Sequence, residues 1–404
     1  VSQTKQQVLT INGGSSSIKF ALYEIGSTLQ TRLSGKIDRI GLDGTTLSFT
    51  DSNSDQNDSH VIYDIEVADY SAAATFLLDW LEQQNVFTQL KIKQSAVGHR
   101  VVHGMKHTAP EIISQSLVDD LRRYISFGPD HLPGEIDLIE QFRARYPQLP
   151  QVACFDTAFH QTLPRVARLL PIPRRFDAMG IQRYGFHGLS YAYLMQSLEQ
   201  VAGKQAVQGR VILAHLGNGA SLAAVRNGQS IDTSMGFTPT GGLPMGTRSG
   251  DLDPGVVEFM MQHEHLTMEQ IKHLVNHESG LLGVSEISSD MRDLLKHEST
   301  DSRAAEAVEL FCYQVKKYIG AYAAALAGID TLVFTGGIGE NAAEVRARIC
   351  NGLEFLGIEI EEQNNAKNAE IISSLNSRVI VRVMPTDEEL MLATTVCRVL
   401  ELTI

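Results

Sequence analysis

Cysteine is scarce, positive charge is in deficit and long apolar runs are missing, and each shortage removes a class of protein. Four cysteines, Cys154, Cys312, Cys350 and Cys397, stand far apart with no CxxC pair and no metal-ligand clustering. That spacing argues against a disulfide-stapled scaffold and a thiolate metal site, and reads as reduced thiols in a cytosolic protein. No stretch approaches the about 18 consecutive apolar residues of a membrane span, and the N-terminus lacks the basic, apolar, small-residue order of a secretory leader. A cytoplasmic chain with no membrane partner is therefore expected. Positive charge is also in deficit, with 34 Lys and Arg against 47 Asp and Glu and a net charge of −13. Nucleic acid and anionic membrane are disfavoured as partners, and an anionic ligand would need positive charge concentrated locally.

What is present is ordinary globular material: 404 residues, 43% hydrophobic and 20% charged, enough for two or three domains. Val8 to Ile11 is a short apolar run, followed by Gly13-Gly14-Ser15-Ser16-Ser17 and then Ile18 to Tyr23, a strand–turn–strand pattern. Far downstream it returns. Val211 to Leu216 leads through Gly217-Asn218-Gly219-Ala220-Ser221 to Leu222–Val225, and Asn227-Gly228 offers the next turn. Two hairpins of one design suggest a duplicated domain. Between them lie helical patterns at about 70–86 and 110–126, with a strand over Ala96–Val102. An Ala-rich helix over 302–328 closes at Gly328, and Thr331–Phe334 reads as a buried strand running into Gly336. Strands alternating with helices indicate an α/β layered fold. Segment 361–378 reads as helix and solvated loop without chemistry of its own.

Glycine-rich turns at Asn12–Ser17, Gly217–Ser221 and Gly336–Glu340 each follow an apolar strand. Glycine lets backbone N–H groups approach a phosphate, and Ser or Asn adds donors. Their recurrence in one chain points to a nucleotide, although none fits the G-x-x-x-x-G-K-[ST] loop or the G-x-G-x-x-G spacing. Arg100 and Arg248 each lie in a Gly-bounded segment. A planar guanidinium can bind carboxylate or phosphate with paired hydrogen bonds; the plain alternative is a structural Arg paired with Asp251 or another acid. Asp156 ends one apolar run and Asp387-Glu388-Glu389 follows another, where α/β sheets bind ligands and where carboxylates could hold Mg²⁺. For Asp387 and Glu388 a helix cap with an acidic first turn is equally open. His187 is bracketed by glycines and is a functional candidate, with a structural histidine as the rival reading. The spacings His99, His103, His107 and His273, His277 are weak metal signals, the first set because it reads as strand.

Taken together, Asn12-Gly13-Gly14-Ser15-Ser16-Ser17-Ile18-Lys19, GHRVVHG, RYGFHG, HLGNGAS, MGTRSGD and FTGGIGEN resemble the acetate kinase family, in the family's order across nearly the whole chain. The resemblance implies the sugar kinase, heat-shock cognate and actin superfamily: two actin-like (ribonuclease H-like) α/β domains with a duplicated core and an active-site cleft between them. The expected division is 1–157, with a C-terminal helix from about 389 to 404 returning to it, and 158–388. By the same resemblance Arg100 and Arg248 bind the carboxylate and stabilise the transferring phosphoryl group, His187 and Asn218 donate to it, and Asp156 orients the reacting groups and the metal. Glu388 and Asn12 are associated with Mg²⁺ or Mn²⁺. His215, Gly217, Asn218 and Gly219 take the phosphates of ATP or ADP. Asp290, Met291, Arg292 and the run Gly336, Gly337, Ile338, Gly339, Glu340 and Asn341 match the adenosine-binding segments, with Met291 where Phe is usual. Val102, Phe186 and Pro239 are expected to line a small acyl pocket, and a homodimer is implied.

Departures from the pattern are Asp130-His131-Leu132-Pro133 for Leu-His-Asn-Pro, and Thr240-Gly241-Gly242-Leu243-Pro244 for Leu-Glu-Gly-Leu-Met. The reaction implied is in-line attack of a carboxylate, anionic at neutral pH and needing no general base, on the γ-phosphorus. Val102, bulkier than the Ala associated with propionate kinases, favours acetate over propionate or butyrate. The rival from another class is an actin- or chaperone-like ATPase switch, which has no use for two Gly-bounded arginines.

Overall fold

The computed structural model describes residues 6–14, 16–52, 61–84, 86 and 95–402. The chain divides into two units, one running to Ala158 and taking back the segment from Asp387, the other Phe159–Thr386.

In the first unit an eight-stranded sheet is built from β1 (Gln7–Gly13), β2 (Ser17–Ile25), β3 (Leu29–Asp38), β4 (Thr46–Asp51), β5 (Val61–Asp64), β6 (Ser95–Val101), β7 (Glu111–Ile112) and β8 (Gln151–Phe155), in the order 5-4-3-2-1-6-8-7. β1 pairs antiparallel with β2 but parallel with β6, which pairs parallel with β8. Helices α1 (Tyr70–Gln83), α2 (Gln115–Arg123) and α3 (Leu132–Arg145) follow the strands. α1 starts at Asp69, whose side chain accepts from Ala72 N–H. Its buried Ala73, Ala74, Leu77, Leu78, Trp80 and Leu81 recur at helical spacing and join the same core as Phe20 of β2, with the Trp80 and Phe20 rings 5.4 Å apart.

The second unit carries α4 (Gly188–Ala202), β9 (Arg210–Leu216), β10 (Ala220–Arg226), β11 (Gln229–Thr233), α5 (Met291–His297), α6 (Ser302–Ala325), β12 (Thr331–Thr335), α7 (Gly336–Asn341) and β13 (Ile380–Val383). Its five-stranded sheet has the order 11-10-9-12-13. β9 pairs antiparallel with β10 and parallel with β12, which is parallel to β13. This is the order and sense of 3-2-1-6-8 in the first unit, so the repeat suggested by two hairpins extends to five strands. The Asn227-Gly228 turn has φ of 53° and 72° at its central residues, the left-handed pair that a tight hairpin between β10 and β11 requires.

Two local readings change. The helical pattern at 110–126 begins as β7, paired antiparallel with β8, and turns helical only at Gln115, where Ser114 caps α2. Glu111 and Ile112 complete a sheet edge, a tertiary gain that periodicity cannot register. The run from Gly336 is a short helix instead of an open turn, entered through Gly336 at φ 77°, where a Cβ would meet the Leu216 backbone oxygen at 2.7 Å. The last helix, α8 (Glu388–Val399), packs on β1 and β6. Gly98 is what lets it approach, since a Cβ there would stand 2.6 Å from Val396 Cγ2. All four cysteines are free and buried, and burial raises each thiol, Cys154 to about 12. Among the described residues no helix is long and apolar enough to cross a membrane.

Candidate active site

Parallel pairing fixes which side chains of the first unit meet. Ile11 lies opposite His99, and Val101 opposite Phe155, so the carboxyl ends of β1, β6 and β8 bring Asn12, Arg100 and Asp156 to one edge. Asp156 N–H continues the ladder to the Val101 carbonyl at 3.0 Å. Arg100 Nε and Nη2 both donate to Asp156 Oδ2, at 3.1 and 2.6 Å, while Nη1 donates to Asn12 Oδ1 and the Gly13 carbonyl at 3.3 and 3.1 Å. Burial disfavours the Arg100 charge, but Asp156 and then Glu388 outweigh it, and the guanidinium is held more firmly protonated than usual. Asp156 is therefore the partner of Arg100, the acid that the plain reading of a paired arginine required.

Asn12 Nδ2 also donates to Glu388 Oε2 at 3.3 Å and Glu389 Oε1 at 3.1 Å. Both carboxylates lie in the first turn of α8, capped by Asp387, whose Oδ1 accepts from Leu390 N–H at 2.8 Å. The helix-cap reading and the ligand reading of this segment thus coexist. Two carboxylate-bearing residues steadied by one amide make a hard-oxygen donor set, which fits Mg²⁺ or Mn²⁺ completed by phosphate and water better than a soft metal. No described group of three or more His, Cys, Asp or Glu could hold a metal by itself. Of the spaced histidines, buried His99 bonds Gln151 at 2.8 Å, His107 meets Glu111 at 2.5 Å, and exposed His273 meets Glu278 at 3.2 Å.

Glu135, in the first turn of α3, is not legible as a site residue from the sequence. Its Oε2 accepts from Val102 N–H at 2.9 Å, and burial, opposed by Arg100 and by that N–H, pushes its carboxyl up to about 8. Val102 is 2% exposed, whereas Asp130 lies at the surface. Ser15 of the glycine-rich turn lies outside the described residues.

In the second unit the turn between β9 and β10 closes with Gly217 N–H donating to the Gly219 carbonyl at 3.0 Å. Gly246 N–H donates to the Asn218 carbonyl at 3.0 Å, and a Cβ on Gly246 would come within 2.3 Å of Asn218 Oδ1, so MGTRSGD packs directly on the turn. Arg248 Nη1 donates to the Pro239 carbonyl at 3.2 Å, whereas Asp251 is engaged by Gly242 N–H at 2.8 Å and the Tyr318 hydroxyl at 2.5 Å. A Cβ placed on Gly219 would stand 3.2 Å from His187 Nε2 and 3.7 Å from Arg248 Nη1, so both groups face that glycine.

His187 heads α4 in the left-handed conformation at φ 58°. Behind it Phe186 is buried, its carbonyl accepting from His160 Nε2 at 3.0 Å, and burial pushes His160 down to about 4. Gly185, at φ 74°, passes so close to His160 and Thr233 that a Cβ would lie about 2.5 Å from either. Half of RYGFHG is thus packing that aims the other half.

Beside the turn is a cavity of about 630 Å³. Gly217 and Asn218 form one wall, Asp290, Met291 and Arg292 with Ser289 and Leu295 a second, and Gly337, Ile338, Asn341 and Ala342 a third. Most of the residues expected at the nucleotide are brought together here. Glu340 serves a different purpose, since its Oε1 accepts from Thr335 Oγ1, Gly336 N–H and Thr386 N–H at 3.2, 2.9 and 3.3 Å and so ties α7 to the strand ends. Arg292 is largely exposed and paired with Asp290, its own helix cap, at 2.5 Å.

The description that matches the chain is that of the acetokinase family, over residues 7–394. The chain belongs to the acetokinase family. Acetate kinase of Rhodopseudomonas palustris is 44% identical over 97% of this chain and 98% of its own length, and acetate kinase of Pseudothermotoga lettingae is 42% identical over 96% of each. Among solved structures, the acetate kinase of Porphyromonas gingivalis superposes with TM-score 0.86 at 38% identity, covering 98% of this chain and all of that one. A propionate kinase from Francisella tularensis gives 0.87 at 36% identity, covering 96% and 98%. The two-domain actin-like fold of the family is the fold seen here, as the resemblance implied.

Proposed function

We propose that this acetokinase family member transfers the γ-phosphoryl group of ATP reversibly to acetate, giving acetyl phosphate and ADP. The observation that carries the reading is the pairing of Arg248 Nη1 and His187 Nε2 on Gly219, beside a cavity of nucleotide size. A guanidinium and an imidazole at the phosphate end of such a cavity are what a transferring phosphoryl group requires as charge spreads over its equatorial oxygens. Relatives named acetate kinase at 41 to 44% identity over nearly the whole chain support the same reading and give the propionate alternative less weight.

Acetate is already anionic at neutral pH and attacks the γ-phosphorus in line without a general base. Arg100 binds the carboxylate, and Asp156, holding two of its nitrogens, sets the angle of the guanidinium. Arg248, His187 and Asn218 donate to the phosphoryl oxygens, and the Gly217–Gly219 turn and His215 receive the ATP phosphates. Val102, Phe186 and Pro239 limit the acyl group. Mg²⁺ or Mn²⁺ would be held by Glu388, steadied by Asn12, and would supply charge neutralisation on the phosphates. A cytoplasmic homodimer belongs to the same proposal; sedimentation velocity at working concentration tests the dimer.

The direct test is hydroxylamine trapping of acyl phosphate with ATP, Mg²⁺ and acetate, propionate or butyrate in parallel. Acetate should give the highest kcat/KM. ATP hydrolysis without hydroxamate from any acid would replace this reading with the ATPase switch.

A further inference from the structure

His187 Nδ1 lies 2.9 Å from Ser221 Oγ, and Ser221 Oγ is in turn hydrogen-bonded to the Tyr191 hydroxyl. All three residues sit in one unit: His187 and Tyr191 are one helical turn apart at the head of α4, and Ser221 is on β10. Tyr191 and Ser221 are fully buried. A buried hydroxyl hydrogen must find an acceptor, and for each of these two hydroxyls this contact chain supplies the partners.

Only two ring tautomers are possible when His187 is neutral. If His187 Nδ1–H donated to Ser221, either the Ser221 hydrogen would point to the Tyr191 oxygen and leave the Tyr191 hydrogen without an acceptor, or Tyr191 would also donate to Ser221 and leave the Ser221 hydrogen without one. If Tyr191 donates to Ser221 and Ser221 donates to Nδ1, every hydrogen is used. The second arrangement leaves the ring proton on Nε2, the nitrogen that faces Gly219. The phenol is suited to its position at the donor end, because burial raises it further above its ordinary range and keeps the proton on oxygen. A second hydroxyl stands in the same relation to the neighbouring ring. Ser190 Oγ lies 2.9 Å from Nδ1 of His215, which stacks on His187 with ring centres 4.2 Å apart.

From these contacts we infer that Tyr191 and Ser221 are positioning residues: a one-way hydroxyl relay, Tyr191 to Ser221 to His187 Nδ1, locks His187 as the Nε2–H tautomer and so aims a permanent donor at the phosphate turn. The inference deepens the phosphoryl-transfer reading, on which its consequence for rate depends. The tautomer itself does not depend on that reading.

The test has two independent readouts. Multiple-bond ¹H–¹⁵N spectra of the full-length protein labelled in histidine, with His187 assigned by its loss in His187→Asn, should show bare Nδ1 and protonated Nε2 at neutral pH. Ser221→Ala removes the bias. The double variant Ser221→Ala with Tyr191→Phe removes it without leaving a buried hydroxyl orphaned, so that folding is preserved. In either variant the His187 signals should move to a mixture of tautomers, and kcat should fall roughly tenfold with KM for ATP unchanged, less than the loss of an electrostatic donor itself costs. Tyr191→Phe alone should move the His187 signals part of the way toward that mixture, since Ser221 loses the donor that fixes its direction while its own buried hydrogen still favours Nδ1. An Nδ1–H tautomer in the unsubstituted protein, or an unmoved tautomer in the double variant, overturns the inference. If no acyl phosphate forms even in the unsubstituted protein while the tautomer behaves as stated, the functional reading fails and the relay stands.

Discussion

The two units use the same strand–turn–strand at the same place in the same five-strand arrangement and surround it with opposite chemistry. Around β1 and β2 the neighbours are ionic: Arg100 locked on Asp156, Glu388 and Glu389 on Asn12, Glu135 behind Val102. Around β9 and β10 they are mostly neutral donors and acceptors: His187, His215, Ser190, Ser221 and Tyr191, with Arg248 the cation facing Gly219. A duplicated backbone supplies two edges where strands end. The side chains from β6, β8 and α8 in one unit, and from α4 and the Met245–Gly250 segment in the other, decide whether that edge handles charge or hydrogen bonds.

The largest effect should come from removing either arginine, and the two should differ in kind. Arg100→Ala and Arg248→Ala should each lower kcat/KM by roughly 10² or more. Only Arg100→Ala should also lower the unfolding midpoint, by an amount corresponding to about 3 kcal/mol, because it strands the buried Asp156 carboxylate. Equal midpoints for the two variants would show that the ionic character of the first edge is unimportant to stability. Next in size, Gly246→Ala forces a Cβ toward Asn218 Oδ1 and the Ser289 carbonyl and, on the proposed function, should raise KM for ATP about tenfold with little change in acetate KM, since both crowded residues line the cavity proposed for the nucleotide. Steady-state kinetics varying each substrate separates these.

Val102→Ala tests the proposal that this buried residue limits the acyl group. Trimming it opens room for about one methylene, worth about 0.8 kcal/mol of burial, with discrimination of about 1 to 3 kcal/mol, so the propionate to acetate ratio of kcat/KM should rise roughly tenfold. Exposed Asp130 should leave that ratio unchanged when replaced by Leu. The smallest effect is one of pH. Glu135, raised from 4.5 to about 8, binds its proton more tightly folded than unfolded, so it contributes stability below about pH 4.5 that is lost as pH rises through 8. Glu135→Gln can keep the bond from Val102 N–H and should flatten the fall in denaturation midpoint between pH 5 and 8. His160, depressed from 6.5 to about 4, acts in the opposite sense: its contribution is present above 6.5 and is lost as pH falls through 4. Parallel midpoint curves for Glu135→Gln and the unsubstituted protein would mean that Glu135 is ionised in the folded state.

The hairpins, the Ala-rich α6 and the strand before Gly336 are readable because period-two and period-3.6 patterns and left-handed glycine positions are local properties. β7 reads as helix in the sequence because its reason for being extended is the neighbouring β8. The reading of 361–378 as segments without chemistry misses a packing role: buried Arg346 donates to Asn365 Oδ1 at 2.8 Å and Asn368 Oδ1 at 2.6 Å, anchoring the wall behind the Gly336 helix.

By itself the sequence determined the α/β class, the repeat, and the identity of the cation-bearing and glycine-rich segments, since these follow from local spacing and from six strings that no structural pressure alone would assemble in that order. Only the tertiary structure decided which acid meets Arg100, that Glu389 joins Glu388 on Asn12, that Glu135 is a buried acid, and which nitrogen of His187 faces Gly219. The physical reason is that strand register and helix approach bring together residues as distant as Asn12 and Glu388, and the direction of a hydrogen-bond chain is set by burial of its last hydroxyl, which no linear spacing encodes.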